Sequence, residues 1–415
     1  PLIYMRMGEC YLYMNEYNSA KENLETAWRI DSTISSELPL LYGMALHRTG
    51  YIDEALYFYN KFRESLSFLT KKTHEVNVYI TQAYIAKILM NNPVPVEILN
   101  LGEIVNSSYD DYRPVVNASG DTLYFTSRRP SPRTQDIDPL DFKYFEDIYV
   151  CYGNSGGFTE CRPIPGFINT PEHDAILSIS PDGYEMFIYR NVMGETKGGD
   201  IYISEFKNDK WKSPKRLPPP VNSDYFETSA SLSPDGSTLY FVSDRTGGYG
   251  ESDIWISTIE KNKYSEPINP GPPLNSQFDE IFVLALPTNK HIIISSNNSY
   301  SMGGYDLFIS EKTDEGWTLP VNLGYPINTP ADEKTISFTK DLKKAFISYI
   351  KGDGLGGWDI YAMNLSKYDI LTHSLQKLNM VYLKGVVKDE TGKSIRGATL
   401  SLFDTQDNPL GFTIS

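Results

Sequence analysis

The sequence predicts an all-β propeller of five blades, preceded by helices and followed by the first strands of a smaller β domain. One observation is an Asp that precedes an apolar strand and returns every 53 residues. Another is that each interval holds four short strand-like runs separated by turn signals, which is typical of a propeller blade. The repeated acids are Asp147, Asp200, Asp253, Asp306 and Asp359.

Three further kinds of side chain recur at the same interval: an aromatic residue, an amide and a second acid. Both sets of repeated acids are present in nearly every blade, whereas a catalytic set would use one special residue in each of a few blades. We therefore predict that the repeated acids bond backbone N–H groups in turns. The members are the aromatic residues Phe158, Trp211, Tyr264 and Trp317, the amides Asn169, Asn222, Asn275 and Asn328, and the acids Asp174, Glu227, Glu280 and Glu333.

The ring is predicted to close with a strand from the N-terminal side. The fifth repeat lacks a fourth strand, since Val381 stands where the next Asn of the series would fall. Residues 100–107, by contrast, match residues 322–329 but follow no other strands of their own blade. We therefore predict that residues 96–101 complete the last blade and pair edges that would otherwise be exposed. The propeller is assigned to residues 96–370.

Helices are predicted in residues 1–92, where apolar residues recur at helical spacing. Large and small side chains follow the TPR pattern, with a second copy 34 to 35 residues after the first, and small residues such as Gly8 and Gly43 would let paired helices approach closely. Two interpretations stay open: a concave groove for a peptide or partner helix, or a purely structural stack. Residues 76–90 are expected to cap the pair or to pack it on the next domain.

The C-terminal residues 382–415 predict a third unit. Residues 386–398 have the pattern strand, turn, strand and resemble the start of a carboxypeptidase regulatory-like β-sandwich. This stretch is well short of the roughly 100 residues of a small sandwich, so we expect the natural protein to continue beyond Ser415. Because the sequence opens at Pro1, we also expect that residues preceding it, such as a signal peptide or anchor, are missing here.

Composition argues against several functions. The net charge of −15 disfavours nucleic acid and anionic membranes as partners. The longest apolar run, residues 281–286, is too short to cross a bilayer. The five His residues show no metal-ligand spacing, and no Gly-x-Ser-x-Gly nucleophile motif is present. We therefore predict a non-enzymatic protein without a cofactor or metal.

Two cysteines flank a predicted hairpin. Cys151 and Cys161 lie on either side of a turn at residues 153–157, which places them on adjacent strands in diagonal positions. Either they form a disulfide or both are buried free thiols. With Cys10 they are too few for a disulfide scaffold or a zinc site.

Nine residues are candidates for binding a partner. Blade one is ten residues longer than its siblings, and the insertion falls between Arg128 and Glu146, where it is either a binding loop or a solvated excursion. Basic residues at the ends of second strands either form a positive rim for an anionic partner or pair with acids of nearby loops. The candidates are Arg128, Arg129, Arg133, Phe142, Tyr144, Phe145, Arg190, Arg245 and Lys351.

The blade motif resembles the TolB-like propellers of bacterial envelope proteins. It combines a Ser-Pro-Asp-Gly turn at 233–236, a Tyr-Phe-x-Ser strand at 240–243 and a Gly-Gly loop before Asp253. The order of helical repeats, propeller and sandwich is similar to the PorE-type proteins of the Bacteroidetes type IX secretion system, which end in an OmpA-like peptidoglycan-binding domain. The resemblance implies a periplasmic, outer-membrane-associated scaffold that binds other envelope or secretion proteins, and peptidoglycan through a domain absent here. A propeller receptor for a glycan or peptide is the alternative, and a glycoside hydrolase ranks third.

Overall fold

The chain forms five antiparallel β-sheets that follow one another along the sequence. A computed structural model describes residues 1–66, 71–131, 136–154, 157–192, 198–373, 387–393, 395, 399–403 and 409–414. The first four sheets each contain four strands in chain order, and the fourth sheet has one further short strand. The fifth sheet combines three consecutive strands with one strand from the N-terminal side. The predicted five-bladed propeller with four-stranded blades is therefore confirmed, and we number the blades 1 to 5.

Four strands build each blade, and the fourth strand is only two residues long in blades 2, 3 and 4. The strands are, in blade 1, β2 (Asp111–Val116), β3 (Thr122–Ser127), β4 (Asp147–Asn154) and β5 (Gly157–Pro163); in blade 2, β6 (His173–Ile179), β7 (Glu185–Asn191), β8 (Asp200–Glu205) and β9 (Lys215–Arg216); in blade 3, β10 (Glu227–Leu232), β11 (Thr238–Ser243), β12 (Asp253–Glu260) and β13 (Lys263–Tyr264); in blade 4, β14 (Glu280–Ala285), β15 (His291–Ser296), β16 (Asp306–Thr313), β17 (Gly316–Trp317) and β18 (Val321–Asn322); and in blade 5, β19 (Ile336–Phe338), β20 (Lys344–Tyr349), β21 (Asp359–Asn364) and β1 (Glu97–Asn100).

Blade 5 is completed from the N-terminal side, as the sequence predicts. Strand β1 pairs antiparallel with β21, so that Leu99 lies opposite Ala362. The side chain of Asn106 strengthens the closure, because its Oδ1 accepts a 2.8 Å hydrogen bond from the Ile360 amide and its Nδ2 donates a 2.9 Å bond to the Ile360 carbonyl. Residues 254 positions apart are thus held together, and the edge of β21 that would otherwise be exposed is paired with β1.

Five buried apolar clusters lie between consecutive blades. The cluster between blades 1 and 2, for example, joins Val150 of β4 to Ile188 of β7. The cluster between blades 5 and 1 joins Phe346 of β20 to Phe125 of β3. Because successive side chains of a strand point to opposite faces, each blade buries both of its faces and the ring is held together all the way round.

The repeated asparagines and aspartates connect strands to loops. Asn169 bonds both the amide and the carbonyl of Ile148 at 2.9 and 3.0 Å, and Asn222, Asn275 and Asn328 do the same in the following blades. Asp253 accepts a 2.8 Å bond from the Tyr249 amide in the preceding Gly-rich loop. These contacts agree with the predicted role of repeated polar residues in turns.

The helical segment consists of paired helices that pack closely. A Cβ placed on Gly8 would lie 2.4 Å from Leu24 Cγ, and one placed on Gly43 would lie 2.9 Å from the Tyr59 ring, so both positions require glycine. The assignment to the TPR class stays a prediction. The helices are α1 (Leu2–Tyr13), α2 (Tyr17–Ile30), α3 (Leu38–Arg48), α4 (Ile52–Glu64) and α5 (Lys71–Asn91), and a single turn, α6 (Ile370–His373), follows blade 5.

The helices dock on a loop of blade 4 and on the loop that enters blade 5. Arg48 of α3 donates to the Pro330 carbonyl at 3.3 Å and pairs with Asp332 at 3.1 Å. Gln82 of α5 donates to the Asn298 carbonyl at 2.9 Å, and Met302 belongs to the apolar core of the helices. Of the two roles expected for residues 76–90, packing on the next domain is therefore observed.

Cys151 and Cys161 form a disulfide. The two residues lie directly opposite each other, with Cα atoms 4.1 Å apart, so the predicted diagonal placement is wrong. The reason is a bulge between Tyr152 and Gly153, which shifts the register of β4 and β5 by one residue.

The tail beyond the propeller contains one described hairpin. Strand β22 (Thr399–Phe403) pairs antiparallel with β23 (Pro409–Ile414). A turn precedes it, in which the Gly392 amide donates to the Asp389 carbonyl at 2.9 Å and the Ile395 amide donates to the Val387 carbonyl at 2.9 Å. Residue 386 and residues 396–398 lie outside the described residues, and the β-sandwich stays a prediction.

Candidate binding face around the insertion of blade 1

One edge of every blade gathers the residues of interest. In blade 1, Ser127 at the end of β3 lies opposite both Asp111, where β2 begins, and Asp147, where β4 begins. The loops between second and third strands and the loops that enter each first strand therefore share one side of the propeller, which we call the loop face. The helices dock on this side, through a loop of blade 4 and the loop that enters blade 5.

A ring of five buried acids stands at the start of the first strands. Asp111 accepts a 2.7 Å bond from the Ser107 amide, and Glu333 accepts a 2.8 Å bond from the Thr329 amide. Asp111 is the member that sequence spacing missed, because the insertion separates it from Asp174 by 63 residues instead of 53. The complete ring is Asp111, Asp174, Glu227, Glu280 and Glu333, all of them fully buried.

Three of the candidate basic residues are paired with these acids. The distances are 2.6 Å for Arg129 with Asp111, 2.6 Å for Arg190 with Asp174 and 2.9 Å for Arg245 with Glu227. The arginine side chains are only 18%, 9% and 11% exposed, respectively. Of the two interpretations that the sequence left open, the pairing with nearby acids is the one observed.

Blades 4 and 5 depart from this arrangement. Glu280 of blade 4 is bonded by the hydroxyls of Ser276 and Ser296 at 2.8 and 3.0 Å, and the described residues place no cation within ion-pair distance of it. Burial therefore raises the pKa of Glu280 to about 7. In blade 5 the ammonium of Lys351 lies 4.0 Å from the ring centre of Tyr349, and burial lowers the pKa of this lysine.

The insertion loop, residues 128–146, is held by its own hydrogen bonds. Arg128 donates to the Tyr144 carbonyl at 2.7 Å and to Asp141 at 3.0 Å. Lys143 pairs with Asp110 at 2.7 Å, which ties the loop to the entry of β2. The described part of the insertion is thus an ordered element, although residues 132–135, which include the candidate Arg133, lie outside the described residues.

His173 fastens the insertion loop to blade 2. Its Nε2 lies 3.1 Å from Asp138 and its Nδ1 lies 2.7 Å from Glu146. Burial by itself lowers the pKa of His173, but the Glu146 and Asp138 carboxylates outweigh it and raise the pKa above its ordinary value. The pKa of Glu146 is lowered in return, because its bonds to His173 and Tyr112 outweigh burial. The candidate Phe145 packs edge-on against this imidazole at 4.7 Å.

Apolar side chains project from the ordered loop into solvent. Leu140 is 86% exposed, Phe142 is 82% exposed and Ile137 is 53% exposed. Phe142 has φ of +61°, a conformation that bulky residues rarely adopt. The half-buried Tyr144 packs edge-on against Tyr109 at 5.6 Å. Of the sequence candidates that the structure describes, Phe142 is the one left freely accessible.

A cavity of about 320 Å³ opens beside the insertion loop, between the first strands of blades 1, 2 and 3. Two charged groups that sequence reasoning missed, Arg113 and Glu146, reach it. The spacing of the repeat gave no signal for either, because neither residue recurs at equivalent positions of the other blades. The lining residues are Arg113, Glu146, His173, Ala175, Tyr189, Asn191 and Thr228.

Neither a metal site nor a membrane span is found in the part of the chain that the structure describes. Across the described residues, no group of three or more His, Cys, Asp or Glu side chains is arranged to hold a metal ion. Over the same part of the chain, no helix has the length and apolar character that a membrane span requires.

Comparison with known proteins gives distant structural likenesses. No protein-family model and no curated protein sequence matches the chain. Among solved structures, TolB from Acinetobacter baumannii is 16% identical over 72% of this chain and 71% of that one, with a TM-score of 0.38. An α-L-arabinofuranosidase from Podospora anserina is 11% identical over 63% and 92%, with a TM-score of 0.38, and a puromycin-hydrolysing peptidase from Mycobacterium tuberculosis is 15% identical over 62% and 45%, with a TM-score of 0.32. Likenesses at this level carry no argument about function.

Proposed function

We propose that this chain is a non-enzymatic scaffold that binds partner proteins through its loop face. The single observation behind the proposal is the insertion loop, which is ordered by its own bonds and yet exposes Ile137, Leu140 and Phe142. An ordered loop loses little conformational entropy on binding, and an exposed apolar group next to polar ones is typical of an interaction site.

The state of the carboxylates supports a non-enzymatic role. Hydrolysis of a glycosidic bond requires two carboxyl groups on either side of the scissile bond. Among the described residues, Glu146 is the one carboxylate that lines the cavity, and it is occupied by His173 and Tyr112. The ring acids are buried and bonded within their own blades.

The proposed location is the periplasm, in association with the outer membrane. The disulfide between Cys151 and Cys161 supports an oxidising compartment. The resemblance to PorE-type proteins supports a role in the type IX secretion machinery, with peptidoglycan bound through an OmpA-like domain outside this sequence. These assignments make other envelope or secretion-system proteins the expected partners.

Site-specific photo-crosslinking tests the proposal. A benzophenone amino acid at position 140 or 142, in cells that carry the natural secretion machinery, should crosslink the same envelope proteins from both positions. The matched control is position 184, since Tyr184 is 60% exposed in the turn between β6 and β7 at the opposite side of blade 2. Crosslinks that are equally strong from position 184, or absent from 140 and 142, would rule out the insertion loop as a partner-binding element.

A receptor for a glycan or peptide is the second candidate, and the cavity beside the insertion loop favours it. Its volume of about 320 Å³ lies at the lower end of the range for small-ligand sites. A receptor of this kind should bind a soluble ligand without a partner protein. Calorimetric titration with oligosaccharides and short peptides separates this candidate from the scaffold.

A further inference from the structure

We propose that Arg113 is a binding site for a peptide carboxylate in the cavity beside the insertion loop. The inference rests on the proposed function and deepens it, because it states the chemistry by which the loop face recognises a partner segment. The carboxylate is either an acidic side chain or a free C-terminus.

The backbone at Arg113 is the first observation. Strand β2 bulges between Tyr112 and Val115, and Arg113 has φ of +52° within this bulge. Corresponding bulges interrupt β6, β10 and β14, but no residue in them has a positive φ. A bulge re-aims a side chain, and a strained conformation at a non-glycine residue is characteristic of functional sites. Blade 1 alone uses its bulge to turn an arginine toward the cavity.

Among the residues that the structure describes, the guanidinium of Arg113 has no acidic partner. It donates a hydrogen bond to the Thr228 carbonyl at 3.2 Å, across to blade 3. Every other arginine that the structure describes in the propeller forms an ion pair with a carboxylate; these are Arg128, Arg129, Arg162, Arg190, Arg216 and Arg245. In a chain with a net charge of −15, an arginine without an acid beside a cavity is available to an external anion.

The surroundings of the cavity allow an anion. In blades 1, 4 and 5, the residue just before the ring acid is an aspartate, namely Asp110, Asp279 or Asp332. In blades 2 and 3, which flank the cavity, the same position holds His173 and Phe226. The carboxylate of Glu146 pairs with His173 at 2.7 Å and accepts a hydrogen bond from Tyr112, so it is already engaged within the chain. Among the described residues that line the cavity, Arg113 is therefore the charged group without an oppositely charged partner.

The phenol of Tyr189 lines the same cavity as the guanidinium of Arg113. Burial, with help from the nearby Glu146, raises the pKa of Tyr189 to about 12, so its phenol stays protonated and can donate to a carboxylate. The cavity of about 320 Å³ holds one or two residues of an extended peptide and no larger element. An arginine and a phenol that line a cavity of this size suit a single carboxylate group.

Isothermal titration calorimetry on the 415-residue chain tests the inference with three acetylated tetrapeptides. One is tetra-alanine with a free C-terminus, one is an amidated peptide with aspartate at its second position, and one is amidated tetra-alanine. The two carboxylate peptides are expected to bind, and the amidated tetra-alanine is not. If only one carboxylate peptide binds, the inference is supported and the source of the carboxylate is identified.

Two variants make the test specific. Arg113→Gly removes the guanidinium and relieves the positive φ, so the chain should melt at an unchanged or higher temperature while the affinity falls about tenfold or more. Arg162→Gln removes an equal charge from an exposed position on β5 and should keep the affinity. Four results would overturn the inference. They are equal binding of all three peptides, undiminished binding by Arg113→Gly, tighter binding of inorganic phosphate than of either carboxylate peptide, and a complete lack of binding. Those results leave the scaffold proposal standing, since crosslinking from positions 140 and 142 judges it separately.

Discussion

The ring acids Glu280 and Glu227 occupy equivalent positions, yet we expect their replacement by glutamine to have opposite effects. Burial raises the pKa of Glu280 from 4.5 to about 7, and no described cation compensates it. Glu227 is equally buried but pairs with Arg245 at 2.9 Å. The comparison isolates the effect of the arginine, because both carboxylates accept bonds from a serine four residues earlier in the chain.

The magnitude follows from the pKa of Glu280. Between pH 4.5 and about 7 the folded protein binds this proton more tightly than the unfolded chain, so stability falls as pH rises through this window. The shift from 4.5 to about 7 corresponds to about 3 kcal/mol of unfolding free energy, lost above pH 7. Glu280→Gln has no proton to lose, and its amide can bond both serine hydroxyls and the Ser276 amide. This variant should therefore be the more stable protein above pH 7.

Glu227→Gln should have the reverse effect. It leaves the Arg245 guanidinium, whose side chain is 11% exposed, without its carboxylate. An uncompensated buried charge of this kind costs about 3 kcal/mol or more. Urea-induced unfolding of both variants and the unchanged chain, measured at several pH values from about 4.5 to 8, gives the two curves. If both variants are destabilised alike, or if Glu280→Gln shows the same decline with pH as the unchanged chain, the account of the ring is refuted.

Three further predictions concern the disulfide, the closure of the ring and the insertion loop. Cys161→Ser should lower the unfolding free energy by about 3 kcal/mol, because the disulfide with Cys151 closes a loop of about ten residues. In this variant a reducing agent should have no further effect on urea-induced unfolding. Asn106→Ala should accelerate hydrogen exchange in β1 and β21 selectively, whereas Asn222→Ala should do so around β8; equal patterns would contradict the role of Asn106 in closure. His173 should stabilise the insertion loop fully below its ordinary pKa of 6.5 and progressively less as pH rises through its raised pKa. Limited proteolysis of the loop should therefore increase with pH. In His173→Gln the loop should be cleaved at every pH.

The repeat itself determined most of the propeller. A constant interval of 53 residues places equivalent residues in equivalent environments. Strand order, blade number and the completion of blade 5 by residues 96–101 could therefore be derived from the sequence alone. The relative position of the two cysteines was harder to predict. A single bulge in a hairpin changes which residues lie opposite each other, and the spacing of the cysteines in the sequence does not reveal it.

The candidate site could be predicted from the sequence only in part. Phe142 was identified because an insertion in a regular repeat is visible as extra length. The partners of His173 were not, since Asp138 and Glu146 belong to the insertion loop of blade 1, whereas His173 begins the first strand of blade 2. The docking of Arg48 on the loop that enters blade 5 could not be predicted either, because it joins residues 284 positions apart.

The sequence alone therefore determined the architecture, because repetition converts one local pattern into a whole ring. Tertiary structure decided which charges are used internally and which are available. Arg190 stands two positions earlier in its repeat than Arg129 or Arg245, yet it reaches the equivalent ring acid, whereas Arg113 reaches none. The physical reason is that the direction of a side chain depends on local backbone torsion, and the charge it meets depends on strands that are distant in the chain.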